Sequence, residues 1–235
     1  MGDVTPRTVA EMARCIDHTL LAPEATRDEV LAACADATAW GVAAVCLSPS
    51  RLPLPAGVPG AGVATCTVVG FPSGAHAPSA KAHEAALAVG HGADEVDMVV
   101  HLGLVRDADW AAVEAEVRAV RGAVDAARGT GAARVVLKVI CESAALSDDE
   151  LRATCRAAVA GGADYVKTST GFHRAGGATE RAVAIMRETV GPSIGVKASG
   201  GIRTTAAALA MLGAGATRIG ASATREILAG LAPGA

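Results

Sequence analysis

Aromatic side chains are scarce in this chain: two tryptophans, one tyrosine and two phenylalanines among 235 residues. Few platforms remain for stacking nucleobases, and a net charge of −3 supplies no basic surface for a phosphate backbone, which argues against nucleic acid as the main partner. Long apolar runs are missing as well. None reaches the roughly 18 residues of a membrane span, and the opening MGDVTPRTVAEMAR has no signal-peptide core. The expectation is a cytoplasmic enzyme with no membrane partner. Cysteine pairs spaced as CxxC are absent. Cys15, Cys34, Cys46, Cys66, Cys141 and Cys155 are scattered, which suits a reducing compartment better than a disulfide framework. Neither a Walker A sequence nor the Rossmann glycine fingerprint occurs. A metal centre would need histidines and carboxylates converging on one place. His76, His83 and His91 fall on or beside one predicted helix, and His173 follows a strand. His18 and His101 alone stand near other strand ends, where hydrogen-bonded structural roles are expected. No metal and no cofactor are expected.

What the chain does have is small residues and a repeated alternation of strand and helix. Residues 5–14 read as a leading helix, after which Cys15-Ile16 enters a first strand at Asp17-His18-Thr19. Residues 43–47, 63–69, 95–100, 134–140, 165–169, 195–198 and 218–220 read as strands two to eight. Thr26-Arg27-Asp28-Glu29 and Ser147-Asp148-Asp149-Glu150 are capping boxes that open helices. Trp110, Val113, Val117, Val120 and Val124 recur at spacings of three and four, the mark of an amphipathic helix. Further helices are predicted around 80–89, 180–190, 204–212 and 222–228. Eight such units in this length predict an α/β fold, a (β/α)8 TIM barrel with a short N-terminal helix, as one domain spanning 1–235.

Polar residues in apolar strands support a barrel over an open sheet. Asp17, Cys46, Asp97, Lys138, Glu142, Lys167 and Lys197 lie within or just after strands, toward the carboxyl halves, and a barrel gathers those ends on one face. The apolar pair Tyr165-Val166 runs into Lys167-Thr168-Ser169-Thr170 and a glycine. Lysine is rarely buried without a partner, and a desolvated amine is a nucleophile toward carbonyls. The bland alternative is a lysine that snorkels to the surface. Lys138, Lys167 and Lys197 fall on consecutive strands. Two unit charges about 4 Å apart repel by about 4 kcal/mol at an effective dielectric of 20, enough to drive a proton off one amine. Alternatively, one or two of them turn outward toward carboxylates such as Glu142, Lys138 first among them. Asp97, set between Val96 and Met98, is costly in a strand unless it is paired or used; it can balance a buried lysine, relay protons, or both. Asp17 reads similarly, or only ties down a turn with Thr19. Ser199-Gly200-Gly201 and Gly220-Ala221-Ser222 follow strands seven and eight, where barrel enzymes often bind phosphate on backbone N–H groups. These residues indicate an amine-dependent reaction on a small phosphorylated carbonyl compound.

The stretches DHTLL, VGFPSG, ADEVDMV, LKVICE, GADYVKTSTGF, VKASGGIRT and RIGAS run from the first strand to the last. As a set they resemble the deoxyribose-phosphate aldolases, class I aldolases with a TIM barrel fold. The resemblance implies reversible cleavage of 2-deoxy-D-ribose 5-phosphate to D-glyceraldehyde 3-phosphate and acetaldehyde. It implies that Lys167 forms the Schiff base, Lys197 tunes it and Asp97 moves protons. It further implies that Gly171, Gly200, Gly201, Gly220 and Ser222 hold the phosphate and that Cys46 borders the substrate. Asp17, Thr19 and Thr170 are grouped with these as substrate contacts. Ser48 and His101 stand where many relatives carry asparagine, which bears on substrate fit and leaves the lysine set untouched. Two rivals stay open: a metal-dependent phosphosugar aldolase or isomerase, and a non-catalytic phosphosugar-binding barrel. A homodimer is allowed for, although surface and barrel-packing apolar residues look alike in sequence.

Overall fold

The computed structural model describes residues 6 and 8–231. Eight parallel strands, β1 (Ile16–Leu20), β2 (Ala44–Leu47), β3 (Ala64–Val69), β4 (Glu95–Val99), β5 (Val136–Ile140), β6 (Tyr165–Lys167), β7 (Gly195–Ser199) and β8 (Arg218–Ala221), pair in sequence order, and β8 returns to β1 to close a barrel. Around it run α1 (Val9–Ala13), α2 (Arg27–Trp40), α3 (Pro78–Gly90), α4 (Leu102–Arg106), α5 (Trp110–Arg128), α6 (Asp148–Ala160), α7 (Glu180–Val190), α8 (Thr205–Gly213) and α9 (Thr224–Ala229). This is the expected (β/α)8 architecture. The expected leading helix is α1, shorter than predicted; Thr5 and Arg7 lie outside the described residues.

Local sequence accounts for these starts. Both predicted capping boxes form: Thr26 accepts from Glu29 N while Glu29 accepts from Thr26 N, and Ser147 and Glu150 do the same. A third, Thr8 with Glu11, opens α1. The short α4 was not anticipated, since five residues are too few for a periodic pattern to register. His101 caps it, its Nδ1 accepting from Leu104 N at 3.3 Å. That gives His101 the hydrogen-bonded role expected of it. His18 has one too, with Nδ1 2.9 Å from Thr224 Oγ1.

Alternation along each strand sorts the side chains into two layers. Outward residues such as Val45, Leu47, Val96, Met98, Leu137, Val139, Val166, Val196 and Ile219 join the helices in the main core. The predicted stripe Val113, Val117, Val120 and Val124 is fully buried there, at roughly 1.5–3 kcal/mol for each side chain. The interior is divided. On the β2–β3 side Ala44, Cys46, Cys66 and Val68 form a small apolar cluster. Opposite them the branched aliphatic filling usual in such barrels is replaced by charge. Register puts Asp97 beside Lys138, Lys167 beside Lys197, and Lys197 beside Arg218.

Glycine makes room for these long side chains. A Cβ on Gly195 would overlap the Tyr165 ring, and one on Gly220 would sit 3.0 Å from Lys197 Cε. Gly195→Ala is therefore expected to lower unfolding free energy by about 1–3 kcal/mol. Urea denaturation checks this, and adding Tyr165→Leu should recover most of the loss.

Candidate active site

A cavity of about 440 Å³ opens at the carboxyl ends of the strands, walled by the loops after β1, β6, β7 and β8. Lys167 reaches its floor from the last position of β6. The strand ends two residues earlier than expected. Beyond the strand Thr170 and Gly171 form the cavity wall, while Thr168 and Ser169 are buried and off the lining. Glu142 fixes that wall. It follows β5 in the left-handed region, φ 57°, which is uncommon for a non-glycine residue. Its buried carboxylate accepts from the Thr170 hydroxyl at 2.5 Å and from Thr170 N at 3.3 Å.

Beneath the floor lies the charge cluster. Asp97 Oδ2 is 2.7 Å from both Lys167 Nζ and Lys197 Nζ, and its Oδ1 is 2.7 Å from Lys138 Nζ. Lys197 Nζ also lies 2.5 Å from Asp17 Oδ2, and Arg218 lies 2.5 Å from Asp17 Oδ1. Asp17, Asp97, Lys138 and Lys197 are wholly buried, and Lys167 is 3% exposed. Burial alone would push Asp97 upward, yet Lys138, Lys167 and Lys197 hold it well below the usual carboxylate range. Asp17 is held low in the same way, against its burial, by Lys197, Lys138 and Arg218. Burial would weaken Lys197 and Lys138 as bases, but the carboxylates outweigh it and raise both. A shared carboxylate oxygen stands between Lys167 and Lys197.

One correction concerns Lys138. It points into the barrel rather than outward to Glu142, because its register partner Asp97 faces inward and parallel neighbours share a face. Two groups of thiol and carboxylate atoms, Cys46–Cys66–Asp97 and Asp17–Cys66–Glu95, are close enough together to hold a cation. Lys138 supplies one, its Nζ 3.3 Å from Cys66 Sγ and 2.5 Å from Glu95 Oε2.

Of the residues singled out from sequence, Thr19, Lys167, Thr170 and Gly171 line the cavity, together with Gly200, Gly201, Gly220 and Ser222. Asp17, Asp97, Cys46 and Lys197 are gathered below that lining rather than on it. Thr19 does tie to Asp17, its hydroxyl donating to the Asp17 backbone carbonyl at 2.9 Å. Sequence reasoning missed Arg203, an exposed cation on the lining two positions past the glycine pair, and Phe172, also on the lining. The adjacency of Arg203 to SGG was the available signal. It also missed a buried ion pair outside the barrel. Lys81 Nζ lies 2.9 Å from Glu116 Oε2 and donates to Val99 O at 2.8 Å, while Glu116 accepts from His101 N at 2.8 Å. These contacts anchor the end of the strand that carries Asp97.

A (β/α)8 barrel with a carboxylate-bound lysine at the floor of a glycine-walled cavity has the makings of a Schiff-base aldolase. Residues 12–231 match the model of the DeoC/LacD family aldolases. The chain belongs to that family. It is 55% identical over 226 residues to deoxyribose-phosphate aldolase of Kocuria rhizophila, covering 95% of this chain and 98% of the relative. Identity to the Mycobacterium avium protein of the same name is 55% over 232 residues, covering 97% of this chain and all of the relative. The solved structure of deoxyribose phosphate aldolase from Aeropyrum pernix, described as a tetramer, superposes with a TM-score of 0.87 and 32% identity, over 96% of this chain and 92% of that one.

The charge cluster sets an acid limit on stability. Asp17 and Asp97 bind protons more weakly when folded, so their contribution is complete above the unfolded carboxylate value of about 3.9 and is lost as pH falls below it. Unfolding free energy from urea titrations should climb between about pH 2 and 5 and level off above that. Asp17→Asn should flatten that climb and cost about 3–5 kcal/mol at pH 7, because Lys197 and Arg218 lose a buried partner.

Proposed function

We propose that the chain catalyses reversible cleavage of 2-deoxy-D-ribose 5-phosphate to D-glyceraldehyde 3-phosphate and acetaldehyde through a Schiff base on Lys167. One observation carries the reading: Lys167 is the lysine on the cavity lining, and its partner Asp97 lies buried behind it. Family membership supports the reaction class, and the names of the relatives support the substrate.

In this reading the Lys167 amine adds to the aldehyde carbon of the open-chain sugar, and the carbinolamine loses water to leave an iminium. Acetaldehyde takes two carbons and the triose phosphate three, so the bond that opens is C2–C3. Its electrons flow into the iminium to give an enamine, while the C3 hydroxyl loses its proton and becomes the carbonyl of the departing triose. Protonation of the enamine at C2 and hydrolysis release acetaldehyde and restore the amine. Asp97, 2.7 Å from Lys167 Nζ, is assigned the proton transfers. Lys197 shares the same oxygen and keeps that carboxylate ionised and oriented. Backbone N–H groups of the Gly171, Gly200–Gly201 and Gly220–Ser222 loops take the phosphate, with Arg203 beside them. Thr19 and Thr170 border the sugar on the cavity lining, their hydroxyls held by Asp17 O and Glu142, and Asp17 and Cys46 support the floor from below. Six free cysteines, and the lack of any helix among the described residues long and apolar enough to cross a membrane, agree with a cytoplasmic setting.

Borohydride reduction in the presence of acetaldehyde should add an ethyl group to Lys167, located by peptide mass spectrometry. Lys167→Ala should lose both turnover and the adduct, and an adduct on another lysine would overturn the assignment. For the phosphate site, Arg203→Ala should raise KM for the phosphorylated sugar on the order of tenfold and leave KM for plain deoxyribose nearly unchanged. Equal losses on both substrates would remove Arg203 from phosphate recognition.

A further inference from the structure

Lys138 has no part in the reaction just described, yet it is paired with more carboxylates than any other cation in the barrel. Its Nζ lies 2.5 Å from Glu95 Oε2, 2.7 Å from Asp97 Oδ1 and 3.6 Å from Asp17 Oδ2. Its approach to Glu95 Oε2 is close but off the hydrogen-bond axis, so Coulomb attraction rather than a directed bond joins them. We infer that Lys138 is a positioning residue for the reaction: it fixes the edge of Asp97 that faces Lys167 and completes a buried charge set that is neutral without Lys167.

The two oxygens of Asp97 divide the work. Oδ1 is taken by Lys138 and by the Cys66 thiol at 3.3 Å, which leaves Oδ2 for Lys167 and Lys197. The charges then close. Asp17, Glu95 and Asp97 are three carboxylates, and Lys138, Lys197 and Arg218 are three cations joined to them, Arg218 reaching Glu95 at 3.6 Å as well as Asp17. The other titratable groups on the inner face are the thiols of Cys46 and Cys66 and the phenol of Tyr165, which carry no formal charge in those forms. Glu142 is turned to Thr170, while Glu24 and Arg203 sit on the solvent side of the cavity. A proton on Lys167 is therefore the one positive charge in excess. Loss of Lys138 would leave the set at −1 and make the Lys167 ammonium its counterion, so that amine would keep its proton to higher pH. Loss of the Glu95 charge would do the opposite.

The inference rests on Lys167 being the Schiff-base lysine, and the test separates the two. The readout is the pH midpoint of single-turnover borohydride trapping with acetaldehyde, with the adduct located by mass spectrometry. Relative to wild type, Lys138→Met should move the midpoint up by about one pH unit or more, and Glu95→Gln should move it down. The double variant should return to the wild-type midpoint. A packing defect would slow trapping at every pH and would not be reversed by a second substitution. Midpoints that overlay wild type with the adduct on Lys167, or a double variant that stays shifted, overturn the role of Lys138. A wild-type adduct on any other lysine overturns the nucleophile assignment instead. If Lys138→Met does not fold, Glu95→Gln decides alone, since it keeps the side-chain size and removes one charge.

Discussion

Asp97 offers two oxygens to three ammonium groups at 2.7 Å each, in a space closed to water. Burying even one such ion costs several kcal/mol, and the cost is met only when every partner is present and well placed. The cluster is consequently interlocked. Lys138 and Lys197 each bridge Asp97 to Asp17, and Arg218 closes the lower end on Asp17 and Glu95. Lys167 stands apart, with one carboxylate contact and a place on the cavity lining. The amine exposed to a ligand is thus the one least committed to the framework.

A barrel interior filled with ions needs space that branched aliphatic side chains would occupy. The sequence makes it with small residues at chosen register positions. Gly195 yields to the Tyr165 ring and Gly220 to Lys197. On the far side Ala44, Cys46, Cys66 and Val68 supply a compact apolar wall that does not compete for the charges.

Rigidity also comes from outside the barrel. The Lys81–Glu116 pair joins α3 to α5 and holds Val99 O, at the end of the strand that carries Asp97, and His101 N just past it. Gly70 leaves room for the Lys81 stem, a Cβ there being 3.0 Å from Lys81 Cε, and a Cβ on Gly74 would overlap Val100 O. The VGFPSG stretch is therefore the packing surface that seats this anchor against β4. Glu84 adds to it by accepting from Gly70 N at 2.8 Å.

Much of this was legible in the chain itself. Strand–helix alternation, two capping boxes and the valine stripe determine the eight units, because each depends on neighbours within a few residues. Polar residues in apolar strands marked Asp17, Asp97, Lys167 and Lys197, since burying them unpaired is too costly to be incidental. The partners were another matter. Lys138 could face either way until the β4–β5 register put it beside Asp97, and Lys81 and Glu116 are 35 positions apart on different helices. The sharing of one oxygen by two lysines, and the placement of Asp17 and Cys46 beneath the cavity rather than on its wall, depend on closure of the barrel. Closure brings Lys197 and Asp17 together across 180 positions. Local propensity carries no information over that distance; packing and the search for charge neutrality decide it.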